Sequence, residues 1–248
     1  MPSVSAVNTD RPFDFIVPFP YSSVAEYGPT GELQTRLSVM SQMAIDGAVA
    51  AWQTNGEAGS IILVGETGYD RPLASTGDLM QDYLLAAQVP IDNIVNLRQL
   101  ADGTALNNTY LQAHAIGEFL AEYPSAQTLA LGLAYHLPRM RRACRAYSVA
   151  AEYRSVEAAL QAVDRLAAYA PQLASIRKLR FSEYVLRAIT LLDAKGTLLT
   201  ATTARRGARV MDVVLTPEGE PQLLKTTVPK LMQELTIAQP QLDHAAAA

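Results

Sequence analysis

Apolar and polar positions change rhythm along the chain in a regular order. Residues 13–19 (FDFIVPF) are a short apolar run after a polar lead and predict a first buried strand. Between 31 and 52 the apolar residues Leu33, Leu37, Met40, Ala44, Ala48 and Ala51 recur at three- and four-residue spacing, the period of one helix face. Residues 60–64 (SIILV) predict a second strand, closed by Gly65. A helix is predicted over 73–87, with Leu79, Met80, Tyr83 and Leu84 on one side, then a third strand over 93–97. The long helical pattern of 104–123 stops at Pro124. Residues 128–134 (TLALGLA) predict a fourth strand and 138–147 a helix opened by Pro138, where a missing N–H costs nothing. A fifth strand over 148–153 and a helix over 156–169 complete the series.

Strands alternating with helices predict βαβ units around a parallel sheet, and continuous apolar strands predict helices on both faces. The expected fold is α/β, a Rossmann-like three-layer sandwich with a mainly parallel sheet, plus a small C-terminal α+β appendage. Past residue 170 the rhythm breaks: a helix is predicted over 175–192 and two strands over 196–203 and 209–215, around the basic turn Ala204-Arg205-Arg206-Gly207. A short helix follows over 228–235. The expected organisation is therefore a Rossmann-type domain over 1–170, a helix–hairpin–helix appendage packed on it over 171–238, and a disordered tail over 239–248. A basic hairpin tip of this kind would add positive charge if it covers the ligand edge of the sheet.

Composition narrows the function classes. Of the 248 residues 49% are hydrophobic, enough for a large core, and the net charge of −4 argues against a dedicated nucleic-acid binder. The longest apolar runs, 61–64 and 129–133, have strand length and not membrane length, and 1–12 shows no secretory pattern. A cytoplasmic protein without membrane partners is expected; the oligomeric state is left open. The single cysteine, Cys144, permits no internal disulfide. It reads either as a small core residue or as a thiol activated by neighbouring arginines.

Several familiar chemistries lack their motifs. The chain after the first strand runs Val17-Pro18-Phe19-Pro20, without a G-x-G-x-x-G, and neither a P-loop, an H-E-x-x-H nor a G-x-S-x-G is present. No bound transition metal is expected: His244 is in the tail, and His114, inside a predicted helix, reads as a buried, hydrogen-bonded histidine.

The informative positions stand where strands end, because open α/β sheets bind ligands at their carboxyl edge. After the second strand, Gly65-Glu66-Thr67-Gly68 reads as a ligand loop, with Glu66 as a base or hydroxyl binder, or as an ordinary turn. After the third, Thr104 reads as a helix cap and Asn107 as a first-turn residue facing the ligand edge. After the fourth, His136 is followed by Arg139 and, one turn on, Arg142. Arginine at a helix N-terminus opposes the helix dipole, and an anion bound between the two would compensate. Arg141 is expected to face solvent.

The stretch from Asp14 to about residue 146 resembles the DUF218 (YdcF-like) family. His136-Leu137-Pro138-Arg139 looks like the family's His-x-x-Arg, and Thr104-Ala105-Leu106-Asn107 like its Thr-x-Glu-Asn. Asp14-Phe15-Ile16-Val17, Ser75 and residues 80–90 add to the likeness. The resemblance implies a Rossmann-like fold and S-adenosylmethionine or nucleotide-like ligands. Together with the strand-end positions, it puts Asp14, Gly65, Ser75, Thr104, Asn107, Arg139 and Arg142 in ligand binding, with His136 and, from its position alone, Glu66 as the candidate catalytic pair. Gly65-Glu66 stands in place of the family's Gly-Gly, Thr76 in place of the glutamate after its serine, and Leu106 in place of the glutamate of Thr-x-Glu-Asn. Three functions follow as expectations: an enzyme on a phosphorylated or nucleotide-like small molecule, a non-catalytic binder or sensor with the same anionic-ligand pocket, and an S-adenosylmethionine-dependent methyltransferase.

Overall fold

A computed structural model describes residues 12–21, 23–27, 33–65, 74–176, 209–215 and 221–227, with positions 193, 195–197, 201, 230 and 233. In chain order the elements are β1 (Phe15–Pro18), β2 (Ser23–Tyr27), β3 (Leu33–Leu37), α1 (Val39–Thr54), β4 (Ser60–Val64), α2 (Thr76–Ala86) and β5 (Ile94–Leu97). Then come α3 (Thr109–Leu120), β6 (Thr128–Gly132), α4 (Leu137–Ala146), β7 (Glu152–Ser155), α5 (Val156–Gln161), α6 (Ala170–Ile176), β8 (Arg209–Leu215) and β9 (Pro221–Thr227).

The central sheet is parallel, in the order β5-β4-β1-β6-β7. Ile16 on β1 stands opposite Ile61 on β4 and Leu129 on β6. Alternate strand residues serve alternate faces. Ile16, Ile61, Leu63, Leu129 and Leu131 pack against α1, α2 and α5, whereas Phe15, Val17, Ile62, Val64 and Ala130 pack against α3 and α4. Both faces are covered, which is why these strands are apolar throughout. The chain leaves β1 toward β4 on one side, then returns past it to β6 on the other. The switch point, where two neighbouring strands feed helices on opposite faces, is therefore the carboxyl edge between β1 and β6.

Three expectations about elements are corrected. First, the helix expected from residue 31 begins at Val39, and the preceding residues form the antiparallel hairpin β2–β3. Leu33, Leu37 and Met40 happen to share helical spacing, and this hid a strand. Second, the fifth strand lies at 152–155 and not at 148–153, because α4 runs on to Ala146 and Ser148 takes a left-handed turn (φ 57°) before it. Third, β8 pairs with β9 and not with 196–203, of which residues 197 and 201 are helical. The linking segment 216–220 (TPEGE) carries the Pro and Gly turn chemistry. The basic turn 204–207 lies outside the described residues, as does most of the helix expected over 175–192. β8 packs against α1 and β2, and β9 against α6. On the opposite face, Tyr147 Oη donates to Lys195 O at 3.1 Å. No described helix is long and apolar enough to cross a membrane.

Candidate functional site

The site is built by the first residues after β1 and β6 and the first residues of α3. Phe19 N–H donates to Leu131 O at 2.9 Å, extending β1's contact with β6, and Tyr21 N–H donates to Ser41 Oγ at 3.0 Å in the first turn of α1. Across the edge, Leu133 to His136 turn tightly, with His136 N–H on Leu133 O at 2.8 Å. Gly132 makes room for this turn: a Cβ there would lie 2.0 Å from Met140 Sδ. Glu157 at the start of α5 fixes the same turn by accepting from Ala134 N–H at 3.0 and 3.1 Å.

Three buried polar side chains meet there. Thr109, the first residue of α3, is 5% exposed, His136 2% and Arg139 8%. Thr109 Oγ1 lies 3.2 Å from His136 Nε2 and accepts from Arg139 Nη1 at 3.2 Å. The Tyr21 ring packs on the imidazole with centroids 5.1 Å apart and a tilt of 57°. His136 and Arg139 are three residues apart across the start of α4 and so share a face. Arg142, half-buried, is one turn further along.

The remaining expected site residues divide. Asn107 lies in the loop that leads β5 into α3, two residues before the helix; its Oδ1 is buried without a hydrogen-bond partner among the described residues. Thr104 is not the cap of α3. Gly103 is at positive φ, Thr104 N–H donates to Asp102 Oδ1 and Ala105 bridges Gln99, so the chain is still turning there. The cap is Asn108, whose Oδ1 accepts from Tyr110 and Leu111 N–H at 2.9 and 3.1 Å. Asp14 precedes β1 and therefore stands at the amino edge, where its carboxylate accepts from Gln127 N–H at 2.7 Å; the structure does not bring it to His136. Ser75 caps α2, accepting from Asp78 N–H at 3.1 Å. Gly65 has a packing reason to be glycine, since a Cβ would fall 2.1 Å from Gly77 N on α2. Glu66 lies outside the described residues.

Two further readings are settled by burial. Cys144 is buried in the α3–α4 core, and desolvation pushes its thiol up to about 11, with the Tyr153 hydroxyl pulling slightly the other way. Arg141 and Arg145 are exposed and do not offset this, so the core-residue reading holds. His114 departs from its expected burial: it is half-exposed, stacked on Tyr147 with centroids 4.4 Å apart, and 3.6 Å from Glu118.

Residues not anticipated from sequence are Thr109, Tyr21 and a second cluster around Asp46. Asp46 on α1 is 5% exposed and accepts from Tyr83 Oη at 2.8 Å, from Arg165 Nη2 at 3.3 Å and from Tyr169 Oη. A lone acid inside the apolar stretch 43–51 was its sequence signal. Comparison with family models, curated proteins and solved structures returns no match for this chain.

Proposed function

We propose that the protein binds a small anionic ligand of the phosphorylated or nucleotide-like class at the carboxyl edge between β1 and β6. The observation that carries this reading is the buried Arg139–Thr109–His136 cluster at the starts of α3 and α4. The helix dipoles favour negative charge at these two starts, whose first N–H groups are themselves already bonded, Tyr110 and Leu111 to Asn108 Oδ1 and Arg139 and Met140 to His136 O. A guanidinium held beside them supplies donors suited to phosphate or carboxylate oxygens. The buried Asn107 Oδ1 offers an acceptor for a hydroxyl or amine elsewhere on the ligand, a contact that would add to the one at the phosphate.

The resemblance of the 104–107 and 136–139 segments to DUF218 motifs points the same way and adds S-adenosylmethionine as a candidate. The turn Phe19-Pro20-Tyr21 after β1 has no glycine to let a cofactor approach the backbone, which counts against a methyltransferase-type seat there. His136 is the group suited to proton transfer if the ligand is turned over. Mass spectrometry of small molecules retained through native purification, followed by calorimetry with the compound found, tests the reading. A retained anion released by Arg139→Ala is the expected result; a neutral, apolar ligand would overturn it. Conversion of that compound on incubation separates an enzyme from a sensor.

A further inference from the structure

Thr109 Oγ1 has two hydrogen-bond neighbours, Arg139 Nη1 and His136 Nε2, each at 3.2 Å. A guanidinium only donates, so the Thr109 oxygen is the acceptor in the first pair. The hydroxyl carries one proton of its own, and among the described residues Nε2 is the acceptor within its reach. A neutral imidazole that accepts at Nε2 carries its proton on Nδ1. All three side chains are buried, so bulk water does not compete for these directions.

We propose that Thr109 is a positioning residue that holds neutral His136 in the Nδ1–H tautomer and aims Arg139, linking ligand contact at the guanidinium to the state of the imidazole. The linking half rests on the anion-binding reading above; the tautomer half stands on the geometry alone. The backbone supports the arrangement. Asn108 caps α3 and so fixes Thr109 as its first residue. His136 and Arg139 are fixed by the turn that opens α4, with Arg139 N–H on His136 O at 3.0 Å. α3 and α4 pack against each other, which sets the distance between the two helix starts.

The test uses the full-length, 15N-labelled protein at about pH 8, above the ordinary imidazole pKa of about 6.5. His136 ring signals are assigned by their loss in His136→Gln. Long-range 1H–15N spectra are expected to show a protonated Nδ1 and an unprotonated Nε2. Thr109→Val, which keeps shape and removes the hydroxyl, is expected to abolish that preference, and Thr109→Ser to restore it. A wild-type ring protonated on Nε2, or the same tautomer in Thr109→Val, overturns the assignment. The wild-type spectrum decides even if the valine variant fails to fold. Titration with inorganic phosphate tests the link. Affinity is expected to fall about three- to tenfold in Thr109→Val, the worth of one hydrogen bond, and to recover in Thr109→Ser. Equal phosphate affinity in wild type and Thr109→Val overturns the link. Failure of the wild type to bind phosphate instead sinks the anion-binding reading and the link with it, leaving the tautomer to be decided by the spectra.

Discussion

Asp46 and Arg139 are both charged side chains inside the protein, one in each helical layer. Asp46 sits in mid-helix on α1, where Tyr83 from α2 and Arg165 and Tyr169 from the segment after α5 all donate to its carboxylate. That cluster contains its own anion and its own cation, and it ties three parts of one layer together. Arg139 sits at a helix start on the carboxyl edge of the sheet, where its contact with Thr109 is to a neutral hydroxyl that also serves an imidazole. The difference follows from position in the fold. A polar group in mid-helix meets only its own layer, whereas one at a helix start meets the edge where strands release their loops. The first cluster serves as a staple, and the second is where the proposed function puts the ligand.

Removing the staple has the largest expected effect. Asp46→Ala leaves two phenols and a guanidinium without their acceptor, at a cost of roughly 3 kcal/mol after allowing for the half-exposed Arg165. Denaturant unfolding measures this, and phosphate affinity of the surviving folded fraction should change less than about twofold. A loss under about 1 kcal/mol would mean that water replaces the cluster's bonds and that it is no staple. Arg139→Ala is expected to do the reverse. Phosphate binding by calorimetry should weaken at least about tenfold, the lower end for a charge-assisted bond. The fold should lose about 1 kcal/mol, because Arg139 is buried and hydrogen-bonded. The start of α4 faces α3, and the Arg139 side chain is enclosed between them.

Alkaline pH sharpens the comparison further. Burial raises the phenols of Tyr83 and Tyr169 above their ordinary 10.0, and the hydrogen bond and negative charge of Asp46 add to the rise. Unfolded phenols ionise near 10 while the folded ones keep their protons, so the unfolded state binds fewer protons as pH climbs. Stability from these groups is complete below the ordinary pKa and is lost above it. Cys144 acts in the same direction between 9.0 and about 11 and is common to wild type and variant. Tyr169→Phe should therefore cost about 1 kcal/mol at neutral pH and flatten the decline of unfolding midpoints above about pH 10. An unchanged alkaline slope would remove Tyr169 from the cluster's energetics.

How much of this could be read from the chain depended on burial. The inner strands β1, β4 and β6 are covered on both faces, so they appear as unbroken apolar runs and were legible. The hairpin β2–β3 was not, because Leu33, Leu37 and Met40 imitate a helix face across a strand and a helix. His136 and Arg139 were legible as the residues that follow an inner strand. Thr109 was not, because Thr104 has the same capping chemistry five residues earlier. Only the left-handed turn at Gly103 and the bridge of Ala105 to Gln99 show that the chain is still in a loop there. Asp46 was visible as an acid among apolar residues, but its donors come from sequence positions 83, 165 and 169, and only the fold brings them together.

The smallest expected effect is the most discriminating, because it tests two arginines on one helix. Arg141 lies two residues after Arg139, and two helical steps of about 100° turn it to the opposite side. Its guanidinium is exposed and lies 5.4 Å from the centroid of the Tyr153 ring on the edge strand β7. An exposed cation–π contact of this kind contributes about 0.5–1 kcal/mol to stability. It lies away from the Thr109–His136 cluster that the first turn of α4 shares with α3. Arg141→Ala removes the same formal charge from α4 as Arg139→Ala does. If phosphate responded only to the net positive charge of this helix, the two variants would weaken binding alike, and both losses would shrink as salt is raised. If the buried geometry is what binds, Arg141→Ala should shift the phosphate Kd by less than about twofold, and the Arg139→Ala deficit should persist in high salt. Matched calorimetric titrations of the two variants at low and high ionic strength decide between a diffuse field and a built site.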